Sequence, residues 1–175
     1  MSIRLALITL ILVTSAGFAQ TPYAGMQTRP IKALSEQQIA DLKAARGMGL
    51  ALAAELNGYP GPSHVLELAD KLALSADQRA KVQQQFDSMK AEAIPVGEKL
   101  IEQEADLDRQ FASRMITPES LKSAISAIAS TQGELRETHL KYHLSTLALL
   151  SSNQAQRYSE LRGYGAHKAG QHRHH

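Results

Sequence analysis

Two long stretches of this chain carry apolar side chains at alternating intervals of four and three residues, which restricts what it can fold into. The first stretch contains Val82, Phe86, Met89, Ala93, Val96, Leu100, Gln103, Leu107 and Phe111. The second contains Leu121, Ile125, Ile128, Gln132, Leu135, His139, Tyr142, Thr146 and Leu149. A repeat averaging 3.5 residues is typical of helices that pack side by side over their whole length. The fold predicted is therefore all-α, with one long antiparallel helical hairpin.

The turn of this hairpin sets which residues face each other. Thr117 is suited to cap a helix and Pro118 to occupy its first position. With the turn centred near Ile116-Thr117, facing residues have numbers that sum to roughly 233, so His139 lies level with Ile94-Pro95 and His143 with Lys90. Pro95 removes one backbone donor from the first long helix, and we expect a kink there.

Shorter helices are expected on both sides of the hairpin. Ser35 with Gln38 forms a capping box, and apolar residues on one helical face continue to Leu56, which predicts a single N-terminal helix. After the Tyr59 to Pro62 turn, Ser63 is expected to cap a short helix. The resulting division is an extended lead-in at 20–34, a helical hairpin domain at 35–162 and a disordered His-rich tail at 163–175.

The first 19 residues have the pattern of a secretory signal peptide. A basic start at Arg4 precedes an apolar run from Leu5 to Val13, and small residues lead to a cleavage site after Ala19. The alternative is an uncleaved N-terminal anchor, although the run is shorter than the roughly 20 residues of a membrane span. The prediction is export to the periplasm, and the absence of cysteine means that packing, not disulfides, stabilises the domain.

Composition argues against two classes of function. The 19 Lys and Arg nearly balance the 17 Asp and Glu, and no basic cluster with interleaved aromatics is present, so a nucleic-acid partner is not expected. The chain has no nucleophile elbow and no glycine-rich phosphate loop after a strand, so it is not expected to be an enzyme.

Two related motifs bracket the hairpin. Leu74-Ser75-Ala76-Asp77-Gln78 opens it, and Leu150-Ser151-Ser152-Asn153-Gln154 follows it. In each motif the serine and the glutamine three residues later are expected to form a capping box that starts a helix. This pair resembles the LTxxQ motifs of the Spy/CpxP family, with Ser in place of Thr. The layout is also similar to zinc-resistance-associated periplasmic proteins and to CnrX-type heavy-metal sensors. The resemblance implies a hook-shaped periplasmic protein, often a homodimer, that acts as an ATP-independent chaperone, in envelope-stress signalling or in metal sensing.

Candidate metal ligands are concentrated on the return helix. His139 and His143 lie one helical turn apart, so both imidazoles can share one divalent metal ion. His139 occupies a seam position, where a buried ring needs a partner such as a metal or Glu92 of the facing helix. The alternative is a hydrogen-bonded core His139 beside a solvated His143. The CnrX-type sensors carry a His pair on their first helix, whereas this chain has none there.

Other candidate ligands are spread along the chain. His64 and Glu67 lie three residues apart after the Pro-Gly-Pro turn and can complete a site if that helix folds back on the hairpin. Met48 can act as a soft ligand or as a close-packing point. The tail carries four further histidines that can bind metal loosely: His167, His172, His174 and His175.

These features lead to two hypotheses about function. The first is a chaperone or stress adaptor whose partners are unfolded periplasmic proteins or a membrane-bound signalling protein. Metal binding can modulate the activity of such a protein. The second is a metal sensor or resistance protein that binds Zn, Cu, Ni or Co through His139 and His143. No cofactor is required by the first hypothesis, and a homodimer is expected in both.

Overall fold

The computed structural model describes residues 23–164, and over that range the chain folds into helices without strands, as the sequence predicts. After a 3-10 turn at Met26–Thr28, the helices are α1 Glu36–Lys43, α2 Leu52–Glu55, α3 Pro62–Glu67, α4 Ala76–Ala112, α5 Pro118–Leu147 and α6 Ser152–Leu161. The predicted signal peptide and the four tail histidines lie outside the described residues. Among the helices of 23–164, none combines the length and the apolarity needed to cross a membrane.

Helices α4 and α5 form the antiparallel hairpin, and three cross-hairpin contacts define its register. Lys141 bonds to Glu92, Lys99 Nζ lies 3.6 Å from Glu134 Oε2, and the Ser145 hydroxyl donates to Gln85 Oε1 at 2.8 Å. These pairs agree with the predicted register to within a few residues. Helix α4 runs through Pro95 without a break, so the missing donor does not end the helix.

A third layer is added where α1 lies across α4. The buried side chains at this junction come from α1, its C-terminal turn and both hairpin helices: Leu42, Ala45, Ala93, Leu100, Ile128 and Leu135. A methyl group built on Gly97 would lie 2.8 Å from the Leu42 carbonyl oxygen. Glycine at this position therefore lets the two helix backbones approach closely.

The two Leu-Ser-x-x-Gln motifs meet at the open end of the hairpin. Ser75 and Ser151 each form the predicted capping box with the glutamine three residues later. The two glutamine side chains also bond to each other, with Gln78 Nε2 donating to Gln154 Oε1 at 2.9 Å and Gln154 Nε2 donating to Gln78 Oε1 at 3.0 Å. Each motif thus starts a helix and also joins α4 to α6.

The single N-terminal helix predicted from Ser35 to Leu56 is wrong. The helix stops at Lys43, and α2 begins only at Leu52. Between them, Ala45, Met48 and Gly49 have positive φ angles of 52°, 42° and 82°, which no α-helix contains. Residues 44–51 are called the crossing loop below, because they pass over α5. The short helix α3 also differs in its start, since Gly61 is the N-cap and Pro62 the first residue, whereas Ser63 was expected to cap it.

The hairpin tip extends beyond the third layer. Lys32 Nζ contacts Asp108 Oδ2 at 3.1 Å, close to the last turn of α4. Beyond that contact the apolar seam is exposed to solvent. Four large apolar side chains near the turn are more than a third exposed: Phe111, Met115, Leu121 and Ile125.

Candidate functional site

A cavity of about 500 Å³ lies where the crossing loop and α3 cover the middle of the hairpin. Four of the five predicted metal ligands of the described chain line it: His64, Glu67, His139 and His143. Glu55, Met48 and Met89 line it as well. We call this cavity the histidine pocket. Helix α3 does fold back against the hairpin, which was the condition for His64 and Glu67 to take part in a site.

His139 is buried in the wall of the pocket. Its side chain is 3% exposed, and its Nε2 has no hydrogen-bond partner among the described residues. Burial, with the charge of a protonated His143 as a smaller cause, holds the pKa of His139 below its ordinary value of 6.5. The ring is therefore neutral at pH 7, and a neutral imidazole can bind a metal ion.

His143 is also buried, at 8% exposure, which contradicts the alternative in which it is solvated. Its Nδ1 lies 2.6 Å from the Tyr59 carbonyl oxygen. Because a carbonyl only accepts hydrogen bonds, Nδ1 is the donor in this contact, and Nε2 is the ring nitrogen left to bind a metal ion. A backbone carbonyl that orients the second ring nitrogen in this way is typical of metal-binding histidines. The hydrogen-bonded histidine of the pair is thus His143, and His139 is the one without a partner.

Glu55 connects the pocket to α6, and sequence reasoning missed it. It is 5% exposed, and it accepts hydrogen bonds from the Tyr158 hydroxyl and, at 3.2 Å, from the Gly61 N–H. His64 Nδ1 lies 3.3 Å from Oε1 of this carboxylate, at ion-pair distance but without hydrogen-bond geometry. Burial raises the pKa of Glu55, but the His64 imidazole, the Tyr158 hydroxyl and the Gly61 N–H together lower it to about 2. Glu55 is therefore ionised at neutral pH.

One signal in the sequence pointed to Glu55. It is the only charged residue between Arg46 and His64, in a run of apolar and small residues. A lone carboxylate in such a run is expected to be buried with partners, because isolated buried charges are strongly disfavoured. Its partner Tyr158 lies 103 positions away, so the network itself could not be read from local pattern.

Glu92 does not belong to the pocket, so its prediction as a partner of His139 is wrong. Its carboxylate bonds to Lys141, and its Oε1 accepts a hydrogen bond from the Tyr142 hydroxyl at 2.6 Å. The prediction identified the correct level along the hairpin but the wrong side of α5. Lys141 and Tyr142 turn towards Glu92, whereas His139 faces the crossing loop, where a methyl group on Gly47 would lie 3.9 Å from its Nδ1.

The pocket brings potential ligands together without forming a closed metal site. Within residues 23–164, no three His, Asp or Glu side chains converge closely enough to hold a metal ion as they stand. A metal ion held by three of these side chains would require them to move closer together. Comparison of this chain with family models, with curated proteins and with solved structures found no match.

Proposed function

We propose that this chain is a non-enzymatic protein of the bacterial periplasm that binds a transition-metal ion in the histidine pocket. The observation that carries the proposal is the buried His139. Its Nε2 has no hydrogen-bond partner in the described chain, and the residue lines a cavity together with two further histidines. A buried polar atom without a partner costs about 1–3 kcal/mol, and metal coordination would remove that cost.

The arrangement also supports a role for metal in holding the molecule together. His64 is on α3, while His139 and His143 are on α5. A metal shared between the two helices would cross-link the cover of the pocket to the hairpin. Such binding requires the folded state, so it would stabilise the fold by mass action. A sensor could use this difference in stability as its signal.

The test of this function is a metal-dependent melting temperature. Metal binding by the tail is removed by replacing four histidines with alanine in the full chain: His167, His172, His174 and His175. We call this variant the tail-silent protein. At a metal concentration of about 100 times Kd, we expect a stabilisation of about 2.7 kcal/mol, or a rise on the order of 8 °C, with at least one of Zn²⁺, Cu²⁺, Ni²⁺ and Co²⁺.

Two variants make this measurement specific. In the His139→Ala, His143→Ala double variant the rise should disappear, while circular dichroism shows that the helices remain. Glu92→Gln is the control, because Glu92 lies at the same level on the other side of the hairpin, and it should keep the full rise. If no metal raises the melting temperature of the tail-silent protein, His139 is a structural histidine and this function is refuted.

A second candidate function, the ATP-independent chaperone or adaptor, is supported by the hairpin tip. Phe111 is 53% exposed and Met115 is 75% exposed, and Leu121 and Ile125 continue the apolar surface onto α5. Contiguous apolar surface of this kind is a common feature of sites that contact other proteins. The tip would bind unfolded periplasmic chains or a membrane-bound signalling partner.

We expect the purified protein to suppress aggregation of an unfolded client without ATP. Replacing Phe111, Met115 and Ile125 together by serine should remove most of this activity, since the binding surface loses its apolar side chains. Leu144→Ser is the matched control, because Leu144 is 59% exposed on α5 but lies far from the tip. Client light scattering that stays unchanged with excess protein would argue against the chaperone function and leave metal binding as the remaining candidate.

A further inference from the structure

Two methionine thioethers line the histidine pocket beside the imidazoles. Met89 reaches it from α4 and is 6% exposed, while Met48 reaches it from the crossing loop. Because the chain contains no cysteine, methionine is its only source of sulfur ligands. The pocket therefore combines nitrogen and soft sulfur donors.

The backbone at Met48 is in an unfavourable conformation. Its φ of 42° lies in the left-handed region, where a residue with a Cβ is disfavoured by roughly 1–2 kcal/mol. Glycines stand on both sides of it and would adopt this conformation more readily. Strained backbone of this kind is concentrated at ligand sites. The strain here presents a thioether at the rim of the pocket.

The two α5 histidines line the pocket together with these thioethers, and the buried carboxylate already has hydrogen-bond partners. His139 Nε2 has no hydrogen-bond partner within the described residues, and His143 makes its hydrogen bond through Nδ1. Glu55 already accepts hydrogen bonds from Tyr158 and Gly61. A hard ion that drew on the Glu55 carboxylate would compete with these donors, whereas a soft ion held by nitrogen and sulfur would not.

From this donor set we propose that the pocket binds cuprous copper, Cu(I), through the two α5 imidazoles and the thioethers of Met48 and Met89. Thioether ligands select Cu(I), whereas Zn²⁺, Ni²⁺ and Co²⁺ prefer imidazole, carboxylate and thiolate. This inference rests on the proposed metal-binding function and narrows it to a soft ion in its reduced state. Coordination needs no electron transfer, since the copper enters and stays as Cu(I).

The experiment measures Cu(I) and Zn²⁺ affinities separately in the tail-silent protein. Cu(I) is supplied under reducing, oxygen-free conditions and competed with a coloured Cu(I) chelator, and Zn²⁺ is competed with a zinc indicator. The Met48→Leu, Met89→Leu double variant should weaken Cu(I) binding by roughly tenfold or more and leave the Zn²⁺ constant within about twofold. Leucine preserves side-chain volume, so the fold should be retained.

Three further measurements distinguish the loss of a ligand from a purely structural effect. Met48→Leu alone changes a 42% exposed side chain outside the core, and it should still weaken Cu(I) binding. Met115→Leu, at the hairpin tip, should leave it unchanged. X-ray absorption at the copper edge should show sulfur scattering that is lost in the double variant.

The outcomes separate the two proposals. If divalent metals raise the melting temperature through His139 and His143 but Cu(I) does not bind, the soft-metal inference is overturned and the metal-binding function stands. If Cu(I) binds equally well to the methionine variants, the thioether assignment is overturned. If neither Cu(I) nor any divalent ion binds the tail-silent protein, both proposals are overturned together.

Discussion

Gly97→Ala and Gly133→Ala are expected to change the free energy of unfolding in opposite directions, with a difference of about 3 kcal/mol between them. Both glycines lie inside long helices, α4 and α5 respectively. Alanine in place of glycine in a helix interior adds about 1 kcal/mol of stability. At Gly133 nothing lies within 4 Å of the new methyl group, so this gain should be realised in full.

At Gly97 the same gain is outweighed by a clash. The methyl group would lie 2.8 Å from the Leu42 carbonyl oxygen and 3.2 Å from its carbon. These are backbone atoms and cannot rotate away, so α1 must shift off α4. Overpacking of this kind costs about 1–3 kcal/mol or more, which leaves a net loss of about 2 kcal/mol.

Urea denaturation of the two variants and the wild-type protein gives the sign of the change in the free energy of unfolding for each variant. Hydrogen exchange adds a local readout, because α1 amides at 36–43 should exchange faster in Gly97→Ala and not in Gly133→Ala. If Gly97→Ala stabilises the protein as much as Gly133→Ala does, α1 does not rest against α4 at this point.

The parts of the fold that depend on local or repeating interactions could be predicted from the sequence. Capping boxes at Ser35, Ser75 and Ser151 involve residues three apart, and all three are present. The long hairpin follows from a repeat sustained over many turns, and its register follows from the position of the turn near Thr117. The Gln78–Gln154 pair was not predicted, because it depends on bringing together two motifs that are 76 residues apart.

The broken helix near Met48 illustrates what local pattern could not reveal. Apolar residues continue at helical spacing from Ile39 to Leu56, so periodicity favours an unbroken helix. Two glycines weaken that helix, but the left-handed conformations of Ala45 and Met48 run against the intrinsic preference of both residues. Tertiary contacts, with the crossing loop resting on His139, override that preference.

The histidines and Glu67 of the candidate site could be predicted from the sequence, whereas the positions of Glu55 and Glu92 could not. A histidine at a seam position is identifiable because burial there follows from the repeat. Which acid meets it depends on how the helices are rotated about their axes, and spacing determines only their level. Glu92 was therefore placed at the correct height on the wrong side, and Glu55 was missed in a segment expected to be regular helix.

The Glu55 network gives a second large effect, which depends on pH. The pKa of Glu55 is about 2 in the folded protein and 4.5 as an ordinary carboxyl, a difference worth about 3 kcal/mol. Because the folded-state pKa is the lower one, this stability is fully present above pH 4.5 and is lost as the pH falls from 4.5 to about 2. Glu55→Gln should thus destabilise the protein by about 3 kcal/mol at pH 7.

The same variant should differ little from the wild-type protein near pH 2, where Glu55 is protonated and no longer carries its charge. His139 adds a separate decline below pH 6.5, since its folded-state pKa is also lowered. That upper decline should persist in Glu55→Gln, while the decline below pH 4.5 should become shallower. Free energies of unfolding, measured by urea denaturation at pH values from 7 to 2, separate these two declines.

Glu67→Gln is the matched control, because Glu67 lines the same pocket but is exposed and outside the hydrogen bonds to Tyr158 and Gly61. It should follow the wild-type curve throughout. If the free energies of unfolding of Glu55→Gln and the wild-type protein differed by the same amount at every pH, Glu55 would contribute through its shape alone. The hydrogen bonds around it would then not stabilise its negative charge. A difference that narrows with acid would show that the ionised Glu55 joins α6 to the cover of the histidine pocket, so that a ligand drawing on this carboxylate would loosen both.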